Sequence, residues 1–249
     1  VQPALRVPPG GFHYLFTPAQ PLAESGRHAT CSAAPDASKR GRPAWLTVDV
    51  VSQLSFFTAE AVPPAVADLC GVLAASGQIV TVGASDASEG RGARLSVVVD
   101  QLWRATALAE MISEAGLVPE IGRTDEDTPL VRTAIDPSLS AIAAEWTRGA
   151  VKTVPPRWLP GPRELRAWTI AAGTPEGEHY QLGLDPHAPD THSPLASALM
   201  RVGIAPTLIG TRGGRPALRI SGRRRLSRLV ENVGEHPDGA EALALWPRV

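Results

Sequence analysis

"LCGVLAASG", residues 69–77, is an apolar run that ends in small residues and glycine, and "LRAWTIAAG", residues 165–173, ends almost the same way. The two runs lie 96 positions apart in a chain of 249 residues. If they are equivalent, the chain is one unit written twice, and an internal repeat decides the fold before any single residue does.

The residues that follow each run bear this out as a pattern. Pro63 and Pro64 suit a helix start, and Ala65, Val66, Leu69, Cys70, Val72 and Leu73 give an apolar face that stops at Gly77. "QIVTVGA" and "ARLSVVVD" read as two strands separated by the turn-rich "SDASEGRG", and "QLWRATALAEMISEAG" reads as an amphipathic helix closed by Gly116. "LVPEIGR" and "LVRTAI" follow as a second hairpin and "PSLSAIAAEW" as a last helix, giving the order αββαββα. In the second half "SPLASALMRVG" opens with Ser193 as the expected N-cap and Pro194 at the first helical position. An offset of 87 then pairs Gly116 with Gly203, Pro119 with Pro206, Arg132 with Arg219, Leu139 with Leu226, Ser140 with Ser227, Ile142 with Leu229 and Trp146 with Val233. The fall in offset from 96 to 87 implies that the first hairpin of the second repeat is short.

The fold class expected is therefore α+β, a duplicated αββαββα unit with pseudo-twofold symmetry behind a loop-rich N-terminal segment. Residues 1–60 form that segment, 61–150 the first repeat and 151–249 the second. Residues 1–44 are rich in Pro, Gly, Ser and Ala without helical or strand period, and "AWLTVDVVSQLSFF", 44–57, has strand composition.

Composition narrows the function. No apolar run reaches the roughly 18 residues of a membrane span, and "VQPALRVPPGG" lacks a leader's apolar core; a cytoplasmic protein is expected. Cys31 and Cys70 support neither a disulfide framework nor a cysteine-based zinc site. Arginine outnumbers lysine 22 to 2 beside abundant Ala, Gly and Pro, a bias found with GC-rich bacterial genomes. Residues 61–150 hold 6 basic and 12 acidic side chains and residues 151–249 hold 13 and 9, an asymmetry that marks an interaction surface.

Two such units, each opened by a helix ending in small residues and Gly, resemble the LAGLIDADG homing-endonuclease fold. The resemblance covers residues 63–236. It implies that the two motif helices cross at the pseudo-twofold axis, with Gly71, Ala74, Ala75, Ala167, Ala171 and Ala172 providing the close approach. It implies also an acid at each motif's penultimate position, where carboxylates hold divalent metal for phosphodiester hydrolysis. Those positions are Ser76 and Ala172. Glu176 and Glu178 follow the second motif but find no symmetric mate, the acid nearest after the first being Asp86. Neither a catalytic residue nor a metal or cofactor is therefore expected. The WhiA-type bacterial regulators are similar in carrying a degenerate LAGLIDADG domain without nuclease activity; no helix-turn-helix is read here.

The expected partner is DNA, and the expected role regulatory. "RGGRPALRISGRRRLSR", 212–228, carries Arg212, Arg215, Arg219, Arg223, Arg224, Arg225 and Arg228 and no acid. "TRGGRP" suits a hairpin tip, with Arg219 on the strand beyond it; guanidinium forks fit phosphates and guanine edges. Against this stands "TDEDTP", whose Asp125, Glu126 and Asp127 occupy the equivalent hairpin of repeat one. A protein-interaction module without a nucleic-acid role is thus the alternative, and a residual homing endonuclease a further one. The chain is expected to be a monomer, its two repeats forming an internal pseudo-dimer. Asp185, His187, Asp190 and His192 cluster in "DPHAPDTHSP" at a spacing that fits loop use rather than zinc. Trp103, Trp146 and Trp168 fall on helix faces as core residues.

Overall fold

The computed structural model describes residues 58–83, 92–210, 213 and 215–249. The strand composition of 44–57, Cys31, Asp86 and Arg212 lie outside the described residues.

The first repeat runs α1 (Cys70–Ala74), β1 (Gln78–Val82), β2 (Gly92–Val98), α2 (Leu102–Glu114), β3 (Pro119–Arg123), β4 (Pro129–Thr133) and α3 (Leu139–Trp146). A two-stranded ribbon, β5 (Thr147–Arg148) with β6 (Val151–Lys152), leads to the second repeat. That repeat runs α4 (Pro162–Ala172), β7 (Gly173–Glu176), β8 (His179–Gly183), α5 (His192–Arg201), β9 (Thr207–Ile209), β10 (Ala217–Ser221) and α6 (Arg223–Val233), with α7 (Ala240–Leu245) beyond it. Each repeat forms a four-stranded antiparallel sheet of the same order, β1-β2-β4-β3 and β7-β8-β10-β9. The architecture is the duplicated αββαββα arrangement of the LAGLIDADG-like fold.

Equivalent residues close equivalent elements. Gly116 and Gly203 follow α2 and α5 with φ of 81° and 84°. Behind them the Leu117 N–H bonds back to Ile112 O and the Ile204 N–H to Leu199 O, a six-residue closure that satisfies carbonyls left over at a helix end. The first hairpin of repeat two is short as the offset implies: Gly177, with φ 58°, and Glu178 alone separate β7 from β8.

Two helix starts differ from the sequence reading. The chain is extended at Ala65 and makes a 3-10 turn over Val66–Leu69, so α1 proper begins only at Cys70. Pro64 disfavours helical backbone at the residue before it, and the Asp68 carboxylate accepts the Ala65 N–H at 2.8 Å, fixing the turn there. Ser193 is not the N-cap of α5 either. A 3-10 turn over Pro189–Thr191 precedes that helix, whose first residue is His192. Pro194 thereby falls third in the helix, still within the first turn, where backbone N–H groups have no intrahelical partner to lose.

The inner face of each sheet is covered by helices. Leu95, Val97 and Val131 of the first and Leu182, Leu218 and Ile220 of the second are buried with Leu108, Leu139, Leu199, Leu226 and Leu229. α1 and α4 meet at Gly71, where a Cβ would lie 1.9 Å from Glu164 O and 2.9 Å from Ala167 Cβ. Gly71 and Ala167 are equivalent in the two motifs, so the approach is made by like positions. Ala74, Ala75 and Ala171 are buried beside it and Ala172 partly so. The glycines that end the motifs are demanded by packing as well: a Cβ at Gly77 would fall 2.5 Å from Val72 O, and one at Gly173 would meet the Tyr180 hydroxyl and Thr169 O. Trp146 and Trp168 are core residues as read, joined by Trp158 from the linker; Trp103 is only partly buried.

Candidate nucleic-acid interface

Strand alternation sends one residue in two away from the helices. In the first sheet the outward set crosses the strands in register: Gln78 opposite Ser96, Ser96 opposite Arg132, Arg132 opposite Glu120. In the second sheet Thr174 stands opposite Gln181, Gln181 opposite Arg219, and Arg219 opposite Thr207. The two polar rows coincide under the repeat, with Arg132 and Arg219 at matching places. Arg94 belongs to the same face one pair along, opposite Val80.

Arg219 Nη2 pairs with Glu176 at 2.7 Å, both side chains partly open to water. The Gln181 side chain, with burial opposing and Arg219 adding to it, holds the Glu176 carboxyl below the usual carboxylate range. A pair this exposed contributes little to stability, so an anion approaching Arg219 displaces Glu176 at small cost. Glu120 stands opposite Arg132 in the register of β3 and β4. At the tip joining those strands Asp125, Glu126 and Asp127 are all exposed. Asp127 adopts φ 61° and pairs with Arg123 at 3.0 Å.

The arginine-rich run is divided. Arg215 is exposed just ahead of β10 and Arg219 lies on the outward face. Arg223, Arg224, Arg225 and Arg228 belong to α6, which buries Leu226, Leu229 and Val233 against α4 and the inner side of β10. The run is thus shared between a strand of the sheet and a covering helix. Gly222, with φ 87°, turns the chain from the strand into a helix of the covering layer, where Arg223, Arg224, Arg225 and Arg228 are exposed and Arg225 donates back to Ser221 O at 3.3 Å.

At the motif ends, where α1 and α4 hand over to β1 and β7, the side chains are Ser76, exposed, and Ala172. Lys152 and Gln78, which sequence reasoning missed, converge beside Ser76 on Asp185, read in the sequence only as part of a loop cluster. Lys152 Nζ donates to Ala75 O at 2.7 Å, to Gly77 O at 2.8 Å and to Asp185 Oδ2 at 3.1 Å. Gln78 Nε2 donates to the same Asp185 oxygen at 2.8 Å, while Asp185 Oδ1 accepts the His187 N–H. The lysine and aspartate side chains are 7% and 2% exposed. Burial pulls the Lys152 ammonium below its ordinary range, with Asp185 opposing. The other motif helix is closed by Arg104 of α2, whose guanidinium reaches Ile170 O at 2.6 Å and Gly173 O at 2.7 Å and pairs with Asp100 at 2.8 Å. A cation on the carbonyls of a helix C-terminus is favourable, and both motif helices have one.

A divalent metal does not fit these residues. Among the described residues the carboxylate at the α1 end, Asp185, already accepts Lys152, Gln78 and His187, and the Ala172 side chain has no ligand atom. Among the described residues no group of three or more His, Cys, Asp or Glu is arranged to hold an ion. His192, read as part of a loop cluster, bonds Asp185 O through Nε2 at 2.8 Å. No helix of the described residues is long and apolar enough to cross a membrane.

The topology and the small-residue crossing are those of a LAGLIDADG-like fold. No protein-family model and no curated protein matches the sequence. Among solved structures it is similar to the homing endonuclease I-WcaI bound to its DNA recognition sequence, at 10% identity over 67% of this chain and 78% of that one, with a TM-score of 0.49. The N-terminal LAGLIDADG domain of DUF199/WhiA aligns at 14% identity over 68% and 81%, TM-score 0.45. I-DmoI in complex with DNA and Mn aligns at 15% identity over 69% and 97%, TM-score 0.42.

Proposed function

We propose that the chain binds duplex DNA along the outward faces of its two sheets, as a monomer whose repeats supply both halves of the surface, and that it does so without cutting, in a regulatory role. The observation that carries the reading is the pair of matching polar rows, Gln78–Ser96–Arg132–Glu120 and Thr174–Gln181–Arg219–Thr207. Amides, hydroxyls and guanidinium forks are the groups that read base edges and phosphates. Ser76 and Ala172 supply no carboxylate for metal-assisted hydrolysis, and Asp185 is committed to Lys152.

The test is titration of the full chain with duplex DNA over a range of salt, for the native protein and the Arg132→Ala/Arg219→Ala variant. Removing one arginine from a phosphate should flatten the log–log salt slope by about 0.9, so the double variant should flatten it by up to about 1.8. Incubation with magnesium or manganese should leave the DNA intact, and a chelator should not abolish binding, since neither ion is required for it. No binding at low salt, or site-specific cleavage that requires metal, overturns the proposal. A protein partner is the second reading, favoured by the exposed acidic tip Asp125–Asp127, which opposes a polyanion at one end of the face.

A further inference from the structure

The α6 arginines are left over by the sheet-face reading. Arg224, Ser227, Arg228 and Glu231 recur at the spacing of one helix stripe and line a groove of about 760 Å³ whose other wall is Arg201 at the end of α5. Three arginines thus face one glutamate. Among the described residues none of the three is in an ion pair, and only Arg201 has a side-chain hydrogen bond, to Trp158 O at 3.0 Å. Arg223, Arg224 and Arg225 also occupy the first turn of α6, which holds no acid. Positive charge there opposes the helix dipole, and among the described residues none of these three arginines is in an ion pair.

The lining chooses between polyanions. A protein interface is anchored by buried aromatic or large aliphatic side chains, whereas the groove's apolar residues are only Pro160, Val202 and the backbone-like Gly203. A nucleic-acid backbone needs no such anchor, since phosphates are held by guanidinium forks and the release of counterions. Arg224 and Arg228, four residues apart, stand on the order of 6 Å from each other at Cβ, close enough to engage neighbouring phosphates. We infer that this groove is a second, sequence-independent site for a DNA backbone, on the helical side of the molecule. It is separate from the sheet faces and stands whether or not the sheet reading holds.

The experiment compares the full chain with Arg224→Ala/Arg228→Ala and with Arg132→Ala/Arg219→Ala, using a short duplex of arbitrary sequence. The α6 variant should flatten the salt slope by about 1.8, alike on every sequence, while Arg224→Lys/Arg228→Lys should keep the native slope. Two duplexes carrying different labels should be captured together by the native protein, and neither double alanine variant should join them. If the sheet reading alone fails, the sheet variant behaves as native and the α6 effect remains. An α6 variant with native slope and native co-capture overturns the inference. So does an oligoglutamate peptide that binds the groove more tightly than the duplex and depends on Arg224 and Arg228, which makes the partner an acidic protein. Arg132, Arg224 and Arg228 are exposed and Arg219 partly so, and an unchanged thermal melt confirms that each variant is folded.

Discussion

Gly71→Ala tests the crossing on which the two repeats depend. The added Cβ would stand 1.9 Å from Glu164 O, 2.8 Å from its carbonyl carbon and 2.9 Å from Ala167 Cβ. Ordinary carbon-to-carbonyl-oxygen contacts begin near about 3.3 Å, so α1 and α4 must part by roughly an ångström at this point. A gap of about 0.5–1 Å forfeits a quarter to a half of each dispersion contact across it. Overpacking a filled site typically costs about 1–3 kcal/mol. Alanine's better helix propensity returns at most about 1 kcal/mol, and less in a helix as short as α1. The net loss should be about 2 kcal/mol, a fall in Tm of roughly 4–8 °C for a domain of this size. Thermal and urea denaturation beside Gly122→Ala provide the assay, because a Cβ at Gly122 meets nothing within 4 Å. Equal stability of the two variants would refute a crossing at Gly71.

Lys152→Met should destabilise by about 3–5 kcal/mol, because it strands a buried carboxylate and two helix-end carbonyls. Lys152→Met/Asp185→Asn should recover part of that in a double-mutant cycle; a single-variant loss below about 1 kcal/mol would contradict the buried pair. Burial, with Glu164 adding to it, pushes the Cys70 thiol up to about 12, so at neutral pH in a Cys31→Ser background it should react with a thiol reagent only as fast as the protein unfolds. Rapid labelling of the native protein would show the thiol to be accessible.

Local sequence carries local structure, and the repeat was legible because it is local. The small-residue helix ends, the left-handed glycines at 116 and 203 and the strand alternation each leave a mark within a few residues. Lys152 leaves none. Its partners at 75, 77 and 185 are far off along the chain, and a lone lysine in "GAVKTV" has no period to betray its burial. Arg104 and Arg163 are the same kind of miss: Arg163 Nε pairs with Asp68 at 2.6 Å, 95 residues away. The arginine run shows the complementary failure. Charge density along the sequence marks an anion-binding region, but Gly222 redirects the chain so that Arg219 lies on β10 and Arg224 on the covering helix α6, and only the fold separates them.

The two motif-end cations bear on how the proposed surface would hold a polyanion. The C-terminal carbonyls of α1 and α4 carry partial negative charge where each helix gives way to the first strand of its sheet. Carboxylates at positions 76 and 172 would add to that charge and would require exchangeable cations before a phosphate backbone could lie nearby. Ser76 and Ala172 add none, and Lys152 and Arg104 neutralise the carbonyls with side chains tethered to the protein itself. Each tether also crosses the repeats: Lys152 joins α1 to Asp185 of the second repeat, and Arg104 joins α2 of the first to the end of α4. The charge that favours a polyanion and the contacts that hold the halves together are then the same interactions. A fixed ammonium and guanidinium balance charge but carry no water to attack a phosphodiester, which supports the proposal of binding without cleavage.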